Sequence, residues 1–325
     1  MSMAGAQHAE VEPAFIAGDW GSSHLRLHLC SAGGLVLDSA EGPGAVEASG
    51  RHAAILQSLT ARWLSGHAAL PAVLCGMVGS NIGWAAAAYL PCPVKPEQIA
   101  NACVTLNAGL VRIVPGLSCR NRYGAPDFMR GEETQILGSL ILQPALAQGR
   151  HLLCLPGTHT KWALVEDGAV AEFLTAPVGE TFAVLADHSV LVRDGPPEKW
   201  VAGGPWFESG LQAFARLPEV PLLHRLFECR SRRLSGEFTT QQSAAYLSGL
   251  LIASDVRGAL AAYPIPMVGA TVHLIGAPQL TAMYASALAA QGRTASAQDG
   301  TAASVAGLAA VHRLLTQRRP RHDQP

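Results

Sequence analysis

Two short segments of this chain place glycine and hydroxyl side chains directly after an apolar run. Phe15-Ile16-Ala17-Gly18 leads into Asp19-Trp20-Gly21-Ser22-Ser23, and His151-Leu152-Leu153-Cys154-Leu155 leads into Pro156-Gly157-Thr158-His159-Thr160. Glycine lets backbone N–H groups approach an anion closely, and the hydroxyls add donors. Two such turns facing each other across a cleft would grip a triphosphate from both sides. Gly21, Ser22 and Ser23 would do so on one side, Gly157 and Thr158 on the other. His159 is either a further phosphate donor or a turn histidine; Lys161 either counters phosphate charge or is simply exposed. Asp19 opens the first turn. An acid beside a phosphate cradle makes sense chiefly with a hydrated Mg2+ between them.

Arg130-Gly131-Glu132-Glu133-Thr134-Gln135 is the densest polar cluster in an otherwise apolar chain. Acids at a helix start are often dipole partners. Glu133, however, shares a helical stripe with Met129, Ile136, Leu137 and Leu140, which aims it into a cleft rather than bulk water. There it could accept the proton of an attacking hydroxyl, with Glu132 the alternative if the face is shifted by one residue. Cys75-Gly76-Met77-Val78-Gly79-Ser80-Asn81 reads as a strand and a Gly-rich turn. It is either a plain loop or a carboxylate or hydroxyl site built from backbone N–H groups, Ser80 and Asn81, walled by Trp84 and Tyr89.

The elements that must position these residues follow from periodicity. Phe15–Gly18, Leu25–Leu29 and Leu35–Leu37 read as three strands joined by tight turns, an antiparallel meander. A helix over 51–65, a strand over 72–75, a strand over 111–116 and a helix from Met129 to Leu142 follow. The opening layout then returns in His151–Leu155, Lys161–Val165 and Val170–Leu174, with Gly33 and Gly168 marking the second turn of each copy. Helices are expected over 180–191, 205–216 and 240–262. A strand over 271–275 runs into Gly276-Ala277-Pro278, followed by helices over 280–291 and 301–315. The expected organisation is a tail at 1–13 and an N-terminal lobe at 14–145 carrying the acceptor site and first phosphate loop. A nucleotide lobe at 146–298, a closing helix at 299–317 packed back between the lobes, and a tail at 318–325 complete it.

Composition excludes several classes. Among 325 residues, 49% are hydrophobic and 14% charged, enough for two packed cores and unlike a disordered chain. The net charge is -1 and the one basic run is the short Arg318-Arg319-Pro320-Arg321, so neither nucleic acid nor a membrane surface is an expected partner. The seven cysteines are odd in number and form no C-x-x-C, which points to a reducing compartment without a disulfide framework or zinc site. No stretch has the roughly 18 apolar residues of a membrane span, and the first thirteen residues lack the pattern of a signal peptide. A cytoplasmic protein is expected. The P-loop, the dinucleotide fingerprint, the G-x-S-x-G elbow and H-E-x-x-H are all absent from the sequence.

Four segments in order carry a resemblance: Asp19-Trp20-Gly21-Ser22-Ser23-His24-Leu25-Arg26, Gly76-Met77-Val78-Gly79-Ser80-Asn81-Ile82-Gly83-Trp84, Met129-Arg130-Gly131-Glu132-Glu133-Thr134-Gln135 and Leu155-Pro156-Gly157-Thr158-His159-Thr160-Lys161-Trp162. From about Phe15 to Leu315 the chain resembles the 2-dehydro-3-deoxygalactonokinase family. That resemblance implies an α/β, two-lobed actin-like ATPase (ribonuclease H-like) fold, each lobe opening with a three-stranded antiparallel meander in a mixed sheet. It implies ATP and Mg2+, and phosphorylation of 2-dehydro-3-deoxy-D-galactonate at its C6 hydroxyl in galactonate breakdown. It makes Asp19 to Ser23 the first phosphate loop and Gly157 to Lys161 the second. The helix of Glu132 and Glu133 becomes the first connector, and Gly276-Ala277 the adenosine loop. Substrate contacts are then expected from Met77, Gly79, Ser80, Asn81, Trp84 and Arg130. The chain departs from the pattern at Ala277 and Pro278, where a second glycine or Ser/Thr is common. Its second phosphate loop also lacks an acid, which moves the acid's role to the connector helix. A kinase of a related acid such as 2-dehydro-3-deoxygluconate, or a phosphohydrolase of the same fold, are the alternatives. A sugar-sensing regulator is disfavoured because the first strand leaves no room for a preceding helix-turn-helix. The expected partners are the sugar acid and ATP, and whether the chain pairs as a homodimer is left open.

Overall fold

The apolar runs and Gly turns at the start of the chain fold as β1 (Pro13–Trp20), β2 (His24–Ser31) and β3 (Val36–Pro43), in antiparallel register. In this computed structural model residues 12–65, 69–193, 199–264 and 270–317 are described. The tails expected at 1–13 and 318–325 thus lie, apart from residues 12 and 13, outside the described residues; Pro13 already belongs to β1. The N-terminal half continues with α1 (His52–Leu64), β4 (Ala72–Gly76), β5 (Tyr89–Pro91), α2 (Pro96–Asn101), β6 (Val104–Leu106), β7 (Val111–Ile113), β8 (Gly116–Arg120) and β9 (Pro126–Met129). Next come α3 (Glu132–Leu142) and the second meander, β10 (Arg150–Leu155), β11 (Thr160–Glu166) and β12 (Ala169–Ala176). The chain closes with α4 (Val178–His188), α5 (Pro205–Arg216), α6 (Leu222–Leu234), α7 (Thr240–Ala262), β13 (Thr271–Gly276), α8 (Pro278–Ala290), β14 (Thr294–Asp299) and α9 (Gly300–Gln317).

The two meanders head two mixed sheets of matching plan. The first has the order β3-β2-β1-β4-β7-β6 and the second β12-β11-β10-β13-β14. In each, the first meander strand pairs in parallel with the strand that returns after a helix, β1 with β4 and β10 with β13. Strand, Gly turn, strand, Gly turn, strand in the sequence is therefore a duplicated unit in space.

Three hydrophobic cores form, rather than the two expected from composition. One lies under α1 around Trp20, Leu27, Leu74 and Ile113; another lies under α5 to α8 around Trp162, Phe207, Tyr246 and Leu274. The third joins the inner faces of both sheets to α3 and α9, through Phe15, Cys75, Ile136, Leu153, Ile275 and Leu308. It exists because the inner strands of the meanders bury residues on both faces, as the unbroken buried run Thr160–Val165 illustrates. At its centre α3 and α9 cross at glycine. A β-carbon on Gly138 would stand 1.8 Å from Ala303 O, and one on Gly307 2.0 Å from Thr134 O. Gly138→Ala should therefore force the two helices apart and cost about 1–3 kcal/mol, the usual range for overpacking. Thermal unfolding would read this as a loss of several degrees; an unchanged midpoint would show the crossing to be pliable.

The third sheet, β5-β8-β9, was not legible and bridges the halves. Its strands meet the outer edge of the second sheet. Val94 and Val170 exchange two backbone hydrogen bonds of 3.0 and 2.9 Å, Phe173 N donates to Cys119 Sγ, and Asp127 accepts from Thr175 N and Oγ1 at 2.9 and 2.5 Å. The single strand expected over 111–116 divides here. Pro115 has no N–H to donate, so the chain leaves the first sheet after Ile113 and enters the third at Gly116.

Candidate active site

Both Gly-hydroxyl turns open onto one cleft of about 490 Å³ between the sheets. Gly21 and Ser22, at the β1–β2 turn, line one side; Gly157, Thr158 and His159, at the β10–β11 turn, line the other. The first turn is closed by Gly21 N donating to His24 O at 2.9 Å and is backed by Gly44, whose added β-carbon would lie 2.1 Å from Ser22 O. The second turn is held by the start of α4. Glu180 N donates to Thr158 O at 3.1 Å, His159 Nε2 meets Glu180 Oε2 at 2.7 Å, and Gly179 lets the helix backbone close on Gly157. The positive end of α4 thereby sits against the turn, which favours an anion there. Ser23 is exposed at the tip of the first turn and lies outside the cleft wall.

The cleft floor is acidic. Asp19 ends β1 facing the cleft, and Gly76, at φ +89, passes so close that a β-carbon would lie 3.4 Å from Asp19 Oδ1. Gly131, at φ +110, adopts the left-handed backbone that starts α3, and it brings the helix N-terminus within a β-carbon's width of Gly76. Glu132 is the first residue of α3 and lines the cleft; its Oε2 accepts from Arg130 N at 3.1 Å. Burial pushes the Asp19 carboxyl up, partly offset by Arg26 opposite it on β2. Glu132 is likewise raised by burial, with Lys161 opposing and Asp19 adding to the shift. Asp19 forms no ion pair among the described residues.

Glu133 sits differently from the expected cleft-facing acid. Met129 belongs to β9, not to the helix. Glu133 does share one face of α3 with Ile136, Leu137 and Leu140, but that face packs into the core rather than onto the cleft, and Glu133 is 0% exposed. It accepts from Gly131 N at 2.6 Å and from Thr134 Oγ1 at 3.0 Å. Burial, then the neighbouring Glu132 charge, push it up to about 8. The folded chain therefore keeps a proton that the unfolded chain releases above its ordinary carboxylate pKa. Stability falls as pH rises through that window and is level again beyond the folded value. Glu133→Gln should raise the melting temperature above wild type at about pH 8–9 and leave it unchanged near pH 4. A gain independent of pH would mean that Glu133 is already ionised in the fold.

Lys161 Nζ, only 5% exposed as a residue, donates to Phe128 O and Thr175 Oγ1, both at 2.8 Å, and so ties the second sheet to β9. Arg130 lines the cleft together with Met77, Tyr89 and Phe128. The other residues of the 76–84 turn lie off the cleft. Ser80 Oγ donates to Met77 O at 2.8 Å, Asn81 is exposed, and Trp84 stacks on His52. Gly79 lies behind Arg130, its added β-carbon 2.9 Å from Nη1. Gly276 stands behind the 157–159 turn, against Pro156 O, with Ala277 next to it in the chain. Beside them an apolar pocket of about 170 Å³ is walled by Val178, Phe182, Leu251, Ile252, Leu280 and Met283, and it shares Gly157 with the cleft. Sequence reasoning did not find this pocket or the part played by Phe128. Most of α7, which supplies Leu251 and Ile252 to the pocket wall, is buried.

Among the described residues there is no cluster of three metal-ligating side chains and no helix long and apolar enough to cross a membrane. All seven cysteines are free, and burial pushes their thiols up, so none is an activated nucleophile.

Comparison with known proteins agrees with this arrangement. The 2-keto-3-deoxy-galactonokinase profile matches residues 19–311. A protein of Rhizobium meliloti (strain 1021) described as a probable 2-dehydro-3-deoxygalactonokinase is 36% identical over 93% of this chain and 97% of its own length. The 2-dehydro-3-deoxygalactonokinase of Escherichia coli (strain K12) is 32% identical over 91% and 97%. A crystal structure of a candidate 2-dehydro-3-deoxygalactonokinase from Sinorhizobium meliloti superposes with a TM-score of 0.83 at 34% identity, covering 93% of this chain and 99% of that one. The activator of 2-hydroxyisocaproyl-CoA dehydratase from Clostridium difficile, solved with ADPNP, shares the fold at a TM-score of 0.51 and 11% identity, over 96% and 99%. The two mixed sheets, each headed by an antiparallel meander, are those of the actin-like fold, and the chain belongs to the 2-keto-3-deoxy-galactonokinase family.

Proposed function

We propose that this kinase transfers the γ-phosphoryl group of ATP to the C6 hydroxyl of 2-dehydro-3-deoxy-D-galactonate, in galactonate catabolism. The observation that carries the reading is that two equivalent turns of a duplicated unit, through Gly21 and Ser22 and through Gly157, Thr158 and His159, face one cleft whose floor holds Asp19 and Glu132. The turns and the α4 N-terminus bind the phosphates, with Lys161 adding charge. The adenosine lies against Gly276 and Ala277, its base in the apolar pocket at Gly157. The sugar acid enters from the side of Met77, Tyr89 and Arg130.

Glu132 takes the hydroxyl proton late in the transfer, a suitable role for a carboxylate raised toward neutrality by burial. Asp19 suits a Mg2+ held through water, since it is an acceptor facing the cleft with no ion pair of its own among the described residues. When bound, that ion neutralises charge on the phosphate oxygens. Closure of the cleft around substrate excludes water and limits hydrolysis.

ADP release by the purified protein, measured over a panel of 2-keto-3-deoxy acids, tests the reading. ATP-dependent turnover should require the sugar acid and be fastest with the galactonate derivative. Phosphate release from ATP alone at a comparable rate would favour a phosphohydrolase, and preference for 2-dehydro-3-deoxygluconate would move the substrate.

A further inference from the structure

We infer that Arg130, seated in a cage made by Gly79, Ala87 and Tyr89, is the residue by which this kinase selects a substrate bearing a carboxylate. The identity of the anion rests on the sugar-acid kinase reading; the existence of an anion site does not. Arg130 immediately precedes the Gly131 turn, and its side chain reaches back across the cleft wall to the start of the third sheet. Nη2 donates to Ala87 O at 2.7 Å, Nε lies 3.4 Å from Tyr89 OH, and the guanidinium carbon stands 4.2 Å over the Tyr89 ring. One edge of the fork and its plane are therefore fixed. Nη1 is buried without a hydrogen-bond partner among the described residues, and Gly79 makes room for it.

The charge is unmatched as well. Arg130 forms no ion pair among the described residues, whereas five other arginines, Arg62, Arg122, Arg150, Arg225 and Arg232, each meet a carboxylate. An arginine held rigid in a cleft, with an orphaned donor and no counter-ion, is costly unless an anion completes it. Its planar fork matches a carboxylate better than a point charge does. Two anions must enter this cleft, the triphosphate and the acid. Lys161 stands at the second phosphate turn with its donors directed to Phe128 O and Thr175 Oγ1. Arg130 lines the cleft with Met77 and Tyr89, its fork anchored on Ala87 O and beside Tyr89 OH, and takes the acid. The same residue's backbone N–H is bonded to Glu132 Oε2 at 3.1 Å. The group that grips the carboxylate is thus built onto the segment that presents the base, so gripping one end of the chain places the other.

Calorimetric binding without nucleotide separates this from turnover, with 2-dehydro-3-deoxy-D-galactonate and its neutral carboxamide as probes. Wild type should bind the acid about 10- to 100-fold more tightly than the carboxamide, the range for losing a hydrogen bond to a charged group. Arg130→Met should abolish that preference by weakening the acid alone, with carboxamide binding and the KM for ATP unchanged. Arg130→Lys should keep only part of the preference. Gly79→Ala, which crowds Nη1 while keeping the charge, should lose part of it even if Arg130→Met fails to fold. Equal weakening of both probes in Arg130→Met, or no preference in wild type, overturns the assignment. So does full preference retained in Gly79→Ala. If the preference depends on Arg130 but no sugar acid is phosphorylated, the anion site stands and the kinase reading of the substrate falls.

Discussion

Glu132→Gln is expected to lower kcat by about 10²–10⁴-fold, the usual loss when a general base is removed. KM for ATP and for the sugar acid should change little, because the glutamine keeps the hydrogen bond that Glu132 Oε2 accepts from Arg130 N. The neighbouring Glu133→Gln should cost far less, since its carboxyl is buried and accepts only from Gly131 N and Thr134 Oγ1. The order of the two effects is the diagnostic. Burial raises Glu132, so wild-type activity should also fall as pH drops through its raised pKa and the base becomes protonated. Steady-state kinetics of both variants checks this. A dead Glu133→Gln beside an active Glu132→Gln would mean that the connector helix rotates when substrate binds. Normal turnover in both would place the base elsewhere.

Asp19→Asn should fold normally and lose roughly 10²–10³-fold in kcat, the equivalent of a few kcal/mol of charge stabilisation in the transition state. Asp19 lies at the end of β1, where burial raises its carboxyl and only Arg26 opposes the shift. A buried acid with no ion pair of its own is a cost to the fold, so the melting temperature of the variant should be equal to wild type or higher. Its dependence on divalent cation should shift to higher concentration. Near-normal kcat in Asp19→Asn, or full wild-type activity in EDTA, would remove the metal from its role.

The two strand–turn–strand units were legible because their code is local. A buried strand, a Gly-hydroxyl turn and a second strand occupy fewer than twenty residues, and the same layout occurs twice. On the side of the 76–84 turn the reading was mixed: Met77, Tyr89 and Arg130 line the cleft, whereas Gly79, Ser80, Asn81 and Trp84 do not. That Ala87, 43 positions earlier, holds Arg130 has no local signature. Tyr89 and Phe128 arrive on strands of three and four residues, too short to show a period. Glu133 shares a stripe with Ile136, Leu137 and Leu140, as its spacing says; periodicity marks a face as apolar but does not tell a cleft from the core, and here the face meets the core. Ser80 looked like a ligand because it follows Gly79, yet its hydroxyl closes its own turn on Met77 O. Two further elements lacked pattern for physical reasons. β14 is the polar edge strand Thr294–Asp299, and α6 carries four arginines on a half-exposed surface beside the covering α7.

The most direct measurement is a crystal structure of the ternary complex with a non-hydrolysable ATP analogue and 2-dehydro-3-deoxy-D-galactonate. Phosphates should lie between Gly21–Ser22 and Gly157–His159, the carboxylate at Arg130, and the C6 hydroxyl within hydrogen-bond reach of Glu132, at roughly 2.6–3.2 Å. A sugar acid bound in the reverse sense, with its carboxylate at Glu132's end of the cleft or its hydroxyl beyond reach of both Glu132 and Asp19, would contradict this arrangement.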